Sequence, residues 1–227
     1  MKGESMSEAS SDYSTVVEDI LKLVWSAEEA GRDGVKPKDI GDHMGVVPST
    51  TTENVQRLVR QGLVTHEPYG RVRLTEQGRG VALGMVRRHR LLETYLHEAL
   101  GFSWDEVHEE AEILEHAVSE RLLNRLDKVL GYPTRDPHGD PIPRADGSSA
   151  EIPGAPLDTL PVGIGGEVER LPDRDPQALR AWEEAGLVPG AHVVVLASEA
   201  GGIVVSLEDG QMVHIEDTQA SGIIVRG

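Results

Sequence analysis

Apolar residues recur every three to four positions over several stretches of the chain, which is the spacing of one helix face. The first such stretch runs from Tyr13 to Ala30 and predicts an amphipathic helix that glycines bring to an end. Two shorter helices are predicted over residues 37–44 and 48–61, each with a proline in its first turn, where the missing N–H costs nothing. Gly45 lies between them and predicts a tight turn.

Two short runs of alternating polarity follow, over residues 63–67 and 71–74, and they flank Pro68-Tyr69-Gly70. This pattern predicts a β-hairpin. Two short helices followed by a hairpin are typical of a winged helix-turn-helix, whose second helix enters the major groove of DNA. Helix pairs of this kind also serve as protein–protein modules, so this segment by itself leaves both functions open.

Beyond the hairpin the pattern predicts helices over residues 76–100, from the capping box Ser103–Glu106 to about Val118, and over 119–130. Residues 133–161 contain seven prolines and predict an extended linker. From Val162 onward, short apolar runs between Gly, Asp and Glu turns predict a small β-barrel that a helix over about 176–185 interrupts.

The expected fold class is therefore mainly α with β, in three folded parts. The expected boundaries are a disordered polar tail over 1–12, a winged helix-turn-helix over 13–75, a helical domain over 76–143, a proline-rich linker over 144–161 and an SH3-like β-barrel over 162–227.

Charge and composition narrow the possible chemistry. The 227 residues include no cysteine, so any transition-metal site must use His, Asp and Glu. The net charge of −17 disfavours contact with phosphates, but it is unevenly distributed: residues 34–79 carry a net +2 and residues 136–227 a net −11. The N-terminal part is thus the part suited to DNA.

The candidate DNA contacts lie on the second helix and on the hairpin. The first turns of the helix carry small hydroxyl side chains that permit close approach to a duplex, and Glu53 can accept a hydrogen bond from cytosine N4. Arginines further along the helix and in the second hairpin strand are candidate phosphate contacts; the alternative is that they form a solvated surface. The full candidate set is Ser49, Thr50, Thr52, Glu53, Arg57, Arg60, Arg71 and Arg73.

The candidate metal ligands lie in the middle of the chain. His108, Glu112, Glu115 and His116 stand at i, i+4, i+7 and i+8, which places them on one face of a helix. His89 and Glu93 form a further i, i+4 pair on the preceding helix. A divalent cation is an efficient partner for such groups when they face inward, whereas a solvated Glu/His-rich face is the alternative.

This order of parts resembles the diphtheria toxin repressor family of metalloregulators. The resemblance rests most on Met85–Glu93, on Val107–His116 and on Asp136–Pro143, and it extends over residues 13–227. It implies a winged helix-turn-helix, a helical metal-binding and dimerisation domain, a proline-rich linker and an SH3-like domain. It also implies a cytoplasmic repressor that binds palindromic operator DNA as a metal-activated homodimer and controls metal-uptake genes.

Carried over residue by residue, the resemblance implies two metal ions per subunit. A primary site would use Asp19, Glu112, Glu115 and His116. An ancillary site would use His89, Glu93 and His108 with Asp175 or Gln177 of the SH3-like domain, although Ala178 aligns with the family's usual Gln.

The departures from the iron-type pattern indicate manganese. Iron-type members carry Met and Cys at the positions of Asp19 and Glu112, and hard carboxylate oxygens suit Mn²⁺ better than sulfur does. Lys22 stands where two-domain manganese repressors use an acidic residue, so their close two-metal cluster is not expected. An iron-dependent repressor of the same fold remains the alternative.

Other classes fit less well. A di-metal oxidase needs paired Glu-x-x-His units and a zinc protease needs His-Glu-x-x-His, and the chain has neither pattern, so no enzyme and no small-molecule substrate are expected. A metal-storage or adaptor protein would use the barrel to bind proline-rich peptides, which the scarcity of aromatic residues disfavours. The polar start excludes a signal peptide and no apolar run reaches the roughly 20 residues of a membrane span, so the cytoplasm is expected.

Overall fold

The computed structural model of the chain describes residues 13–173 and 175–227 and divides into two units. The first unit contains residues 13–88, 118–124 and 143–148 of the described chain, and the second contains residues 89–117, 125–142 and 149–227. The disordered tail predicted for residues 1–12 lies outside the described residues. No helix of the described residues is both long and apolar enough to cross a bilayer.

The first unit begins with three helices and a hairpin, close to the bounds that the polarity pattern predicts. They are α1 (Thr15–Glu29), α2 (Pro37–Met44), α3 (Pro48–Arg60), β1 (Val64–His66) and β2 (Val72–Leu74). A proline begins both α2 and α3, and Gly45 ends α2 with a φ of 63°, a left-handed conformation that glycine adopts without strain.

The helix-turn-helix packs closely at one glycine. A Cβ atom on Gly41 of α2 would lie 2.6 Å from Oγ1 of Thr51 in α3, so the two helices approach as near as they do because no side chain stands there. The apolar faces of α1 to α3 and of the hairpin meet in one core, which buries Ile20, Leu21, Ile40, Leu58, Leu63 and Val72.

Three further helices link the hairpin to the C-terminal sheet. Helix α4 (Glu76–Leu100) has the predicted bounds, α5 spans Val107–Leu114, and α6 spans Glu120–Val129. The capping box before α5 is present only in part: Glu106 accepts hydrogen bonds from both the backbone N–H and the hydroxyl of Ser103, at 3.0 and 2.6 Å. The prediction that this helix continues to Val118 is wrong, since a turn begins at Glu115.

The C-terminal part is an antiparallel six-stranded sheet with the order β3-β8-β4-β5-β6-β7. Its strands are β3 (Ala155–Pro156), β4 (Gly165–Arg170), β5 (His192–Glu199), β6 (Gly202–Leu207), β7 (Met212–Glu216) and β8 (Ile224–Arg226). Helix α7 (Pro176–Ala185) lies where it was predicted, and a short helix, α8 (Asp217–Ala220), precedes β8. The core of this part buries Val168, Leu179, Trp182, Val195, Val205 and Ile215 together with Trp104, which comes from the chain between α4 and α5.

The structure differs from the extended linker predicted for residues 133–161 at both ends of that segment. Asp136, His138, Asp140 and Ile142 are buried, so residues 136–142 belong to a packed turn. At the other end β3 pairs with β8, and Leu157 is fully buried in the core of the sheet. The barrel sequence therefore begins before Val162.

Candidate metal centre and nucleic-acid interface

Three predicted ligands from two helices converge in the second unit. Nε2 of His89 lies 2.9 Å from Oε1 of Glu93 and 3.1 Å from Nδ1 of His108, and that Nδ1 lies 3.1 Å from the same Glu93 oxygen. The i, i+4 spacing on α4 places His89 beside Glu93, and the first turn of α5 supplies His108. The side chain of Glu93 is 1% exposed, so this carboxylate depends on its neighbours rather than on water.

Two further residues that could bind a metal, Asp136 and His138, lie close to Glu93. Ligand atoms of Glu93, Asp136 and His138 lie within 4.8 Å of one another, and all three residues are buried. Nε2 of His138 lies 3.1 Å from the carbonyl oxygen of Trp104 and can only donate to it, which leaves Nδ1 with a lone pair. Among the described residues, neither that Nδ1 nor Oε2 of Glu93 has a hydrogen-bond partner.

These two unsatisfied acceptors are the evidence that the site fits a cation. A buried acceptor without a donor carries a desolvation penalty of about 1–3 kcal/mol, and a cation coordinated by both atoms would remove it. The available donors are imidazole nitrogens and carboxylate oxygens without sulfur, a set that suits divalent metals of the harder type.

The turn at residues 136–140 is stabilised by the side chain of Asp136. Oδ1 of Asp136 accepts from the backbone N–H of His138 and of Asp140, both at 2.9 Å. Gly139 has a φ of 95°, and a Cβ atom there would lie 2.0 Å from the carbonyl oxygen of Glu169 in β4. Only glycine permits this approach, which holds His138 against the sheet.

Arginines balance part of the buried negative charge. Nη2 of Arg90 lies 3.2 Å from Oδ1 of Asp140, and Nε of Arg170 lies 3.0 Å from the same oxygen. Arg90 also donates from Nη1 to the carbonyl oxygen of Pro141 at 2.7 Å. Asp140 is thus engaged by two arginines, whereas the hydrogen-bonding neighbours of Glu93 are His89 and His108.

The charges in the cluster shift its pKa values in opposite directions. Burial raises the pKa of Glu93, but His89, His108 and His138 together outweigh it and hold that pKa well below its usual value. Burial lowers the pKa of His108, yet the hydrogen bond to Glu93 and the charge of Asp173 raise it overall. Burial and the nearby Asp140 raise the pKa of Asp136 well above its usual value. Protons and a metal ion would compete for the same atoms.

The acidic residue that the sheet domain brings to this cluster is Asp173 rather than the predicted Asp175. A carboxylate oxygen of Asp173 lies 3.5 Å from Nδ1 of His108. The carboxylate of Asp175 instead caps α7 by accepting from the backbone N–H of Gln177 and Ala178, and its other oxygen accepts from Gln219 at 3.0 Å. The assignment of Asp175 or Gln177 as a ligand stays a prediction, and Asp173 is a further candidate from the same segment.

The ligands predicted on and after α5 do not all share one helix face, because α5 ends at Leu114. Oε2 of Glu115, which is buried, lies 2.6 Å from Nδ1 of His89, and Oε1 lies 3.7 Å from Nε2 of His116. Glu112 is half exposed and lies 3.7 Å from Nε2 of His108. The contact with Glu115 orients the ring of His89 so that its Nε2 faces Glu93 and His108, as an outer carboxylate does for many metal-bound histidines.

Asp19 lies in α1 of the first unit, and the site predicted from Asp19, Glu112, Glu115 and His116 stays a prediction. Sequence reasoning missed Asp136, His138 and Asp173. The stretch Asp136–Pro143 carries part of the family resemblance. Nothing in its spacing connects it to α4, because its residues approach Glu93 only in the folded chain.

The recognition helix presents much of the predicted set to solvent. Ser49, Thr52, Glu53 and Arg60 are exposed, and Thr50 is half buried. Arg57 is half buried and donates from Nη2 to Oδ1 of Asn54 at 3.1 Å.

The two wing arginines both contact the loop before α2. Arg73 donates two hydrogen bonds to the carboxylate of Asp33, at 2.7 and 2.6 Å, and Arg71 donates to the carbonyl oxygen of Gly34 at 3.1 Å. The hydrogen bond from Arg73 lowers the pKa of Asp33.

A winged helix-turn-helix and a buried histidine–carboxylate cluster in one chain define a metal-regulated DNA-binding protein.

Comparison with known proteins identifies the family. The family model "Iron dependent repressor, N-terminal DNA binding domain" matches residues 12–72, "Iron dependent repressor, metal binding and dimerisation domain" matches residues 75–144, and "FeoA domain" matches residues 155–227. The chain is 30% identical over 226 residues to the iron-dependent repressor IdeR of Mycobacterium leprae, covering 94% of this chain and 98% of that protein. It is 29% identical over 224 residues to the diphtheria toxin repressor of Corynebacterium efficiens, covering 94% and 96%.

Solved structures of metal-dependent repressors also match this chain over most of its length. A manganese-dependent transcriptional repressor in complex with manganese matches with a TM-score of 0.87 and 46% identity, covering 93% of this chain and 100% of that one. The manganese regulator SloR matches with a TM-score of 0.77 and 31% identity, covering 92% and 97%. The chain belongs to the iron-dependent (diphtheria toxin) repressor family and is a metal-dependent transcriptional repressor. The fold class and the family predicted from the sequence are confirmed.

Proposed function

We propose that this protein is a manganese-dependent repressor that binds palindromic operator DNA as a metal-activated homodimer and controls metal-uptake genes in the cytoplasm. The observation that carries the proposal is the centre around Glu93, where two buried acceptors lack partners among the described residues. The proposed ligands there are Glu93, His108, His138, Asp136 and Asp173, with His89 oriented by Glu115. An ion there would add positive charge beside the buried carboxylate of Glu93.

The absence of sulfur supports manganese over iron. The donors are carboxylate oxygens and imidazole nitrogens, which manganese accepts, whereas iron-type members of the family use Met and Cys at the positions of Asp19 and Glu112. The 46% identity to a manganese-dependent repressor supports the same choice. Iron remains the second candidate, because relatives that are 30–31% identical are named iron-dependent.

We propose two ions per subunit, one in the centre around Glu93 and one held by Asp19, Glu112, Glu115 and His116. The first would join α4, α5, the turn at residues 136–140 and the segment before α7 into one rigid body. The second would connect α1 to the residues after α5. A ligand stabilises whichever state completes its coordination shell, so metal would favour the dimer that places two recognition helices about 34 Å apart. No enzymatic step is proposed.

The test is a binding titration with purified full-length protein and a duplex recovered from a random-sequence library by selection with the protein and MnCl₂. We expect binding with Mn²⁺, weaker binding with Fe²⁺ under anaerobic conditions, and none with a chelator. Equal binding with and without chelator overturns metal activation, and stronger activation by Fe²⁺ establishes the iron candidate instead.

The centre itself is tested by His138→Asn with His192→Asn as the matched control. His192 is exposed at the start of β5, so its replacement should leave metal binding intact. His138→Asn removes the unpaired Nδ1, and we expect the Mn²⁺ affinity, measured by calorimetry, to fall by about 10–100-fold. Because the Trp104 and His138 rings lie 5.3 Å apart, quenching of tryptophan fluorescence by Mn²⁺ gives a second readout.

A further inference from the structure

The tip of the wing is a type II turn with an unusual residue in its most restricted position. The backbone N–H of Gly70 donates to the carbonyl oxygen of Glu67 at 2.8 Å, which closes a turn with Pro68 and Tyr69 as its central residues. Tyr69 has a φ of 63°. The third residue of such a turn is ordinarily Gly or Asn, because a side chain strains a left-handed backbone.

Nothing in the folding of the wing explains a tyrosine there. The Tyr69 side chain is fully exposed and makes no hydrogen bond to any described residue, so it contributes neither packing nor polar contacts to the wing. A glycine would form the same turn at lower cost. The chain therefore keeps a large aromatic side chain in a strained position with no benefit to its own stability, and strained positions of this kind cluster at functional sites.

The rest of the wing holds this side chain in a fixed place. Strand β1 pairs with β2 over three residues, and Val72 forms a further bridge to Val35. The bidentate bond from Arg73 to Asp33 and the bond from Arg71 to Gly34 fasten β2 to the loop before α2. A partner that meets Tyr69 thus meets a preorganised projection.

We propose that Tyr69 contacts duplex DNA at the edge of the operator, with its ring against a deoxyribose in the minor groove and its hydroxyl donating to a phosphate. The wing is continuous with the DNA-binding domain that the family model matches, and residues 34–79 carry a net charge of +2 in a strongly acidic chain. A tyrosine offers an apolar ring and a polar end, which matches the alternation of sugar and phosphate. This inference rests on the proposed DNA-binding function and adds a contact outside the recognition helix.

The experiment compares wild type with Tyr69→Asn, Tyr69→Phe and Tyr132→Asn in full-length, Mn²⁺-loaded protein. Tyr132 is the matched control, because it is also an exposed tyrosine with a φ of 62° but lies after α6, outside the winged helix. Asn tolerates the left-handed backbone, so both Asn variants should fold at least as stably as wild type.

We expect Tyr69→Asn to weaken binding to the selected duplex by about 10–100-fold, because it loses a hydrogen bond to a charged phosphate together with the ring contact. Tyr69→Phe should weaken binding less, and Tyr132→Asn should leave it unchanged. At saturating protein, a hydroxyl-radical footprint should lose protection of the outer sugars in Tyr69→Asn only. An unchanged affinity and footprint overturns the inference, as does a loss that sedimentation traces to a changed oligomeric state. If wild type itself fails to bind the duplex with Mn²⁺, the proposed function fails first, so the two failures are distinguishable.

Discussion

Nδ1 of His108 lies 3.5 Å from a carboxylate oxygen of Asp173, so the segment before α7 supplies an acidic group to the histidines of the helical part. Two residues further along, Asp175 is used to cap α7. The two aspartates differ in what they contact and so make a matched pair of substitutions.

We expect Asp173→Asn to lower the affinity of the protein for Mn²⁺ by about 10–100-fold, because it removes one negative oxygen from the cluster. Asp175→Asn should leave the affinity unchanged, because Asn is as good an N-cap as Asp. Calorimetric titration of the full chain with MnCl₂ measures both. Equal losses in the two variants, or a larger loss for Asp175→Asn, contradict the placement of Asp173.

The proposed site of Asp19, Glu112, Glu115 and His116 is tested by replacing carboxylate ligands with sulfur ligands. Asp19→Met combined with Glu112→Cys should shift the metal preference in operator binding from Mn²⁺ toward Fe²⁺, because sulfur favours the later metal. The control is Asp19→Met with Glu109→Cys, since Glu109 is exposed and outside the predicted set. An unchanged preference in Asp19→Met with Glu112→Cys counts against both residues as ligands, and the same shift in the control counts against Glu112 alone.

Arg60 is the last residue of the recognition helix and is exposed to solvent, which makes it a candidate phosphate contact. Arg60→Ala should weaken binding to every duplex sequence and reduce the slope of log affinity against log salt by about 1. Arg121→Ala, at an exposed position of α6, is the control and should keep the slope. If the loss depends on duplex sequence while the slope stays as in wild type, Arg60 contacts a base edge rather than a phosphate.

Replacement by alanine should have opposite effects on stability at Gly41, which is closely packed, and at Gly84, which is not. Gly41→Ala places a Cβ against Thr51 and should destabilise the protein by about 1–3 kcal/mol. Gly84→Ala, in α4 with no described atom within 4 Å of the new Cβ, should stabilise it by about 0.5–1 kcal/mol. Urea unfolding followed by circular dichroism gives both changes. An unchanged or raised free energy of unfolding in Gly41→Ala would show that the packing at Gly41 is looser than described.

Elements with a strong polarity period were predictable to within a residue or two, as α2, α4 and α7 show. Strand β4 was not, because Gly165, Gly166 and three charged residues leave Val168 as its only strongly apolar position. The short β3 lies in a proline-rich segment and depends on pairing with β8, a contact that local sequence does not carry.

The site was predictable where its residues share a helix and not where they meet through the fold. Helical spacing pairs His89 with Glu93, the family resemblance adds His108 from the next helix, and the structure brings the three together. His138 and Asp173 reach the same centre from a turn and from the segment before α7, so no spacing along the chain relates them to Glu93. The resemblance offers Asp175 or Gln177 as the ligand from this part of the chain, and an aspartate there is equally suited to the N-cap of α7 that the structure shows.

A centre of imidazoles and carboxylates has a consequence for oxidative stress. Thiolate ligands are converted by hydrogen peroxide to sulfenic and then sulfinic acids, which no longer hold a metal. The chain has no cysteine, and the residues around Glu93 offer peroxide no sulfur to attack. This repressor would continue to respond to its metal under oxidising conditions that silence a sensor built on thiols.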